Sequence, residues 1–136
     1  MKKTLFVCAV LFNLSLLSAQ TIESGSRSTA GYIKSNGTIE NSSHSTVGYI
    51  TGSGTIENSS HSTIGYIKSD GSIQNKNSST VGYVKKDGTV ENSSHSTIGY
   101  IKDNGTVENG SHSTIGYASG IKKEWAAVAF FFFKLN

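Results

Sequence analysis

Ser45-Thr46-Val47-Gly48-Tyr49-Ile50-Thr51-Gly52-Ser53-Gly54-Thr55-Ile56-Glu57-Asn58-Ser59-Ser60-His61 is one period of a pattern that fills most of this 136-residue chain. Its Gly-Tyr pair returns at Gly31-Tyr32, Gly65-Tyr66, Gly82-Tyr83, Gly99-Tyr100 and Gly116-Tyr117, always 17 residues on, without insertion or deletion. Six copies in so strict a register mean one small structural unit stacked on its neighbours.

Each unit holds two short strands. One runs through Ser-Thr-(Ala/Val/Ile)-Gly-Tyr, followed in five units by Ile or Val; the other centres on Ile39, Ile56, Ile73, Val90 and Val107. β-branched residues and tyrosine suit a pleated, half-buried surface, and no repeat segment has helical periodicity. Between the strands lie Ser35-Asn36-Gly37, Gly52-Ser53-Gly54, Ser69-Asp70-Gly71, Lys86-Asp87-Gly88 and Asp103-Asn104-Gly105. Asn or Asp before Gly is a strong hairpin signal, because Gly takes φ > 0 without steric cost. A three-residue loop pairs Ile33 with Ile39, setting β-branched residues opposite each other, whereas a two-residue loop reverses the faces. The first is preferred.

The other connection is Asn-Ser-Ser-His in three units, Ser24-Gly25-Ser26-Arg27 in the first, Asn109-Gly110-Ser111-His112 in the last, and Asn75-Lys76-Asn77-Ser78 in the fourth. The count is five complete hairpins, plus a leading strand Thr21-Ile22-Glu23 and a trailing strand Ser113 to Tyr117. Pairing these two closes the array into a ring and removes its exposed edges. The expected fold is all-β: a closed ring of hairpins with a hydrophobic C-terminal plug.

The repeat, the five hairpins and the closing Lys123-Glu124-Trp125-Ala126-Ala127-Val128-Ala129-Phe130-Phe131-Phe132 together resemble the five-fold beta-flower proteins, from Thr21 to about Phe133. The resemblance implies a small exported bacterial protein with hairpins set as petals about an axis. It implies no established activity, cofactor or catalytic residue.

Working outward, residues 1–19 read as a signal peptide. Lys2 and Lys3 precede an apolar run from Leu5 to Leu17, and Leu17-Ser18-Ala19 supplies a small-residue cleavage site after Ala19. The run is too short for a membrane anchor of about 20 apolar residues. Residues 20–120 are the repeat region and 121–136 a hydrophobic cap of the same domain. The mature protein is therefore expected to be secreted or periplasmic. The only cysteine, Cys8, leaves with the leader, so no disulfide supports the fold. Without Lys2 and Lys3, ten basic residues face nine acidic ones, which argues against a nucleic-acid partner. Nine apolar residues, Trp125 to Phe133, close the chain before Lys134. They are too few for a spanning helix and do not alternate as a membrane β-strand would. A core plug is the better reading, and whether it is helix or strand stays open.

Candidate chemistry is repetitive. His44, His61, His95 and His112 share one repeat position, occupied elsewhere by Arg27 and Ser78. Equivalent positions lie two strands apart, about 10 Å, too far for shared zinc ligation at about 2 Å. No metal or other cofactor is expected. Glu23, Glu40, Glu57, Gln74, Glu91 and Glu108 share another position, and pairing with Lys34, Lys68, Lys85 or Lys102 is their ordinary role. Identical environments work against the split pKa values that paired catalytic carboxylates need, so no enzyme is expected. The expected role is therefore structural or binding, at the cell envelope. The alternative is the Ser-Thr array, Thr29, Thr46, Thr63, Thr80, Thr97 and Thr114, as a flat hydroxyl face for glycan or ice. It requires the parallel stacked coils of a β-solenoid, where the Asn/Asp-Gly signals favour antiparallel hairpins.

Overall fold

The computed structural model describes residues 19–133; the leader as far as Ser18 lies outside the described residues. Twelve strands form one closed antiparallel barrel: β1 (Ala19–Ser24), β2 (Thr29–Lys34), β3 (Thr38–Asn41), β4 (Thr46–Ile50), β5 (Thr55–Asn58), β6 (Thr63–Ile67), β7 (Ser72–Asn75), β8 (Thr80–Val84), β9 (Thr89–Asn92), β10 (Thr97–Ile101), β11 (Thr106–Asn109) and β12 (Thr114–Tyr117). Each strand pairs with its sequence neighbours. The ring closes where β12 meets β1, with Glu23 opposite Tyr117 and Ser24 opposite Gly116. The expected closure is present. Five hairpins turn on glycine, and the seam occupies the sixth place.

The register is the one the three-residue loop demands. Ile33 faces Ile39, Ile50 faces Ile56, Ile67 faces Ile73, Val84 faces Val90 and Ile101 faces Val107. Nine of these ten side chains are buried, each worth about 1.5–3 kcal/mol against exposure. Strand alternation then sends the tyrosines and the glutamates to the other face.

A feature absent from the sequence reading curves the sheet. Between each Thr/Ser-(Ile/Val)-(Glu/Gln) strand and the Gly-Tyr strand after it, the register slips: Ile39 faces Gly48, but Glu40 faces Thr46. The same slip recurs at all six such pairings. A bulge bends its strand and raises local twist, so six at one level curl the sheet until its edges meet.

The tail is helical and fills the barrel. A short helix, α1 (Lys123–Ala127), runs directly into a π-helical turn, Val128–Phe132, in which Phe133 N–H donates to the Val128 carbonyl at 2.9 Å. Ala126, Ala127 and Val128 are fully buried. Phe130, Phe131, Phe132 and Phe133 lie over Gly116, Gly99, Gly82 and Gly65 respectively. One step back along the tail is thus one 17-residue step forward around the barrel. An α-helix rotates about 100° per residue, more than the angle between neighbouring units of a six-unit ring. The π turn spreads one turn over more residues, which brings the two rotations closer. A Cβ on any of these four glycines would overlap the facing ring and the neighbouring strand's carbonyl. This is why the tyrosine of these four units follows a glycine.

Candidate functional site: the ring of tyrosine spokes

The barrel has two kinds of turn with one backbone geometry. In the glycine turns, Gly37 N–H donates to the Lys34 carbonyl (2.9 Å), and the five turn glycines have φ of 86–91°. In the other turns, His44 N–H donates to the Asn41 carbonyl (3.0 Å), and the residue at positive φ is Arg27, His44, His61, Ser78, His95 or His112, at 61–65°. Asn41 Oδ1 accepts from the N–H groups of Ser43 and Ser45, both at 3.0 Å, and so organises the loop.

The left-handed backbone aims the histidine back over the outer face. His44 stacks on Tyr32 with ring centroids 4.3 Å apart and planes at 12°. His61 on Tyr49, His95 on Tyr83 and His112 on Tyr100 repeat this at 4.2–4.3 Å. Each imidazole also donates from Nδ1 to a glutamate Oε2: His44 to Glu40 (3.2 Å), His61 to Glu57 (2.9 Å), His95 to Glu91 (3.2 Å) and His112 to Glu108 (3.1 Å). An ionised carboxylate only accepts, so Nδ1 carries the proton. Lys34, Lys85 and Lys102 bond the other oxygen of Glu40, Glu91 and Glu108. At the seam Arg27 replaces histidine: its guanidinium lies 3.7 Å from the Tyr117 ring centroid and 3.5 Å from Glu23.

Glu40, Glu91 and Glu108 are buried, yet their carboxyl groups are held below the usual glutamate range, first by the lysine hydrogen bond and then by that of the histidine. Both oxygens accept from cationic or imidazole donors that favour the ionised form, which makes each of the three a weak base. The Glu–His dyad orients an imidazole, but no hydrogen bond joins Nε2 to a hydroxyl among the described residues.

The predicted lysine–glutamate pairs form in three units; the fourth has Gln74 opposite Tyr66 and therefore no ion pair. The histidines stay on separate spokes, and among the described residues no three His, Cys, Asp or Glu side chains gather as metal ligands. The threonines all sit at the bulges, facing the preceding strand's Glu or Gln; Thr29, Thr97 and Thr114 are exposed and Thr46, Thr63 and Thr80 half-buried. Sequence reading missed the tyrosine–histidine stack. Its signal was the Glu-to-His spacing of four across a three-residue loop, which returns the histidine over its own strand.

A closed antiparallel barrel of repeated spokes around a helical plug defines a β-repeat protein whose features are distributed around a ring. Residues 19–134 match the 5-fold beta-flower protein family, and the chain belongs to it. No curated protein and no solved structure shows significant similarity to it. Among the described residues no helix is long and apolar enough to cross a membrane.

Proposed function

We propose that this beta-flower protein is exported, cleaved after Ala19, and serves a non-catalytic binding or structural role in the periplasm or at the outer face of the cell envelope. The observation that carries the non-catalytic part is saturation: Glu40, Glu91 and Glu108 are each used by their own lysine and histidine. A carboxylate held ionised by two such donors is a weak base, poorly matched to proton transfer near neutral pH. The leader carries the export part. Fractionation and intact-mass measurement on the full chain expressed in a bacterial host test the reading. Protein outside the cytoplasm beginning at Gln20 supports it; cytoplasmic protein with Met1 intact overturns it.

A second reading, glycan or ice binding through Thr29, Thr46, Thr63, Thr80, Thr97 and Thr114, keeps only the bulges in its favour, which hold all six at one level; the closed antiparallel barrel lacks the parallel coils that a flat face needs. Its test is a glycan array and an ice-growth assay on the Thr29→Val, Thr97→Val, Thr114→Val triple variant. Undiminished binding by that variant would discard the threonines.

A further inference from the structure

The repeat breaks its own pattern at two places well separated in the chain. Thr51-Gly52-Ser53-Gly54 stands where the other glycine turns begin with lysine and carry Asn or Asp before glycine. Further on, Gln74 and Ser78 replace the Glu and His that build a spoke. The barrel brings these departures to one sector. The β4–β5 turn lies against β6, where Ile67 N–H donates to the Gly54 carbonyl (2.7 Å), and Tyr66 on β6 faces Gln74 on β7.

Three consequences meet there. Among the described residues Tyr66 is the one repeat tyrosine with no imidazole or guanidinium over its ring. Among the described residues Lys68 is likewise the one repeat lysine of its position with no carboxylate partner. Asp70, in the same turn, is engaged by the N–H and hydroxyl of Ser72 instead. A cleft of about 230 Å³ touches Tyr66, Lys68, Ser53 and Ser69. It shares Ser53, Lys68 and Ser69 with a second, of about 310 Å³, that continues to Lys122, Glu124 and Trp125. Lys122 Nζ lies 4.9 Å from the Trp125 ring centroid. The two adjoining clefts thus form a groove that has Tyr66 and Trp125 in its walls, with the ammonium groups of Lys68 and Lys122 and one carboxylate, Glu124.

Resting on the binding role proposed above, we infer that this groove holds a linear acidic polysaccharide, with one uronic-acid residue seated on Tyr66. The filled spokes show what the place accepts: a flat ring at stacking distance, hydrogen-bonded at the Glu position and neighboured by lysine. A pyranose presents a face of weakly positive C–H groups that suits the negative face of a tyrosine ring. Gln74 offers both a donor and an acceptor to neighbouring hydroxyls, which glutamate cannot. Lys68 supplies the charge-assisted bond for the carboxylate, and Lys122 beside Trp125 repeats the aromatic-plus-cation pairing further along the groove.

The molecule also provides its own blocking variant. Ser78→His with Gln74→Glu rebuilds the spoke seen four times elsewhere, at a backbone already at φ 62°, and so fills the slot without harming the fold. Calorimetric titration with hexagalacturonate is expected to show saturable binding, weakened roughly tenfold or more in this double variant and in Lys68→Ala, since a stack or a charged hydrogen bond is lost. An uncharged maltohexaose, inorganic phosphate and an oligoglutamate peptide are expected not to bind at comparable concentration. No binding of hexagalacturonate by the native chain overturns the inference, as does equal binding of phosphate or peptide. Full binding by the double variant also overturns it and moves recognition elsewhere on the ring, with the export reading intact.

Discussion

The glycine turns and the histidine turns share one backbone path but answer its demand for a left-handed residue in opposite ways. At a glycine turn the next strand presses in: Ile50 N–H donates to the Gly37 carbonyl (2.8 Å), and a Cβ on Gly37 would collide with the Ile50 carbonyl oxygen. Glycine is there because nothing else fits. At a histidine turn the residue at positive φ is exposed, with room for a large side chain, and His44, His61, His95 and His112 offset the backbone strain by stacking on tyrosine and bonding glutamate. The lesson is that one turn geometry can be specified by excluding side chains or by recruiting one. The first kind tolerates no change, while the second can be re-equipped, as Arg27 and Ser78 show.

The strongest way to break this comparison is to remove what both sets of turns surround. Deleting Trp125 to Asn136 takes away the plug, whose Ala126, Ala127 and Val128 are fully buried and whose Trp125 and four phenylalanines are half-buried. Half of about 1.5–3 kcal/mol for each large side chain is on the order of 5 kcal/mol in all, a large share of a domain's stability. The truncated chain is expected not to fold. Circular dichroism showing a cooperative melt near the full-length temperature would mean the barrel stands without its core.

Next comes Gly88→Ala. Gly88 has φ 91°, and its Cβ would overlap the Ile101 carbonyl. A loss of about 2–3 kcal/mol is expected from left-handed strain and backbone displacement together, measured by urea unfolding. A loss below that of a histidine-turn substitution would reverse the contrast.

His95→Ala is the matching change at the other end. It keeps the strained backbone and loses the stack on Tyr83, for about 0.5–1.5 kcal/mol. His95→Gly relieves the strain while losing the same contacts, so it is expected to unfold at a higher urea concentration than His95→Ala. Equal midpoints would mean the left-handed backbone carries no strain there.

The smallest effect is read by acid. The folded-state pKa values of Glu40, Glu91 and Glu108 lie below the unfolded value. Their stabilisation is therefore present above about pH 4.3, the ordinary glutamate value, and is lost as pH falls through the lower folded values. Asp87 in a glycine turn, depressed chiefly by the Thr89 N–H, acts in the same direction. Glu91→Gln should flatten melting temperature against pH in this acid range without abolishing the slope. An unchanged slope would show that the spokes add nothing to folding.

Much of this was legible beforehand because each strand's choices are local. Alternation in Tyr32-Ile33 and Thr38-Ile39, with Gly37 at the turn, determines pairing and register. A constant 17-residue period leaves no loop to absorb another topology, and matching strands at the two ends imply closure. The lysine–glutamate pairs follow from the same register. What the sequence could not decide depends on residues distant in the chain that meet only after closure. The bulges at Thr46 and its counterparts adjoin the Gly48 position, a residue that favours a bulge within a strand, but their recurrence at one level is selected by the ring's curvature. The apolar tail from Trp125 is equally compatible with helix and strand until the lumen limits the rotation per residue and the glycines of four different units receive its four phenylalanine rings. The stack of His44 on Tyr32 joins adjacent strands through a left-handed turn, and the groove at Tyr66 gathers substitutions from two units. Local propensity acts over a few residues, whereas these features exist only once the sheet has curved around its core.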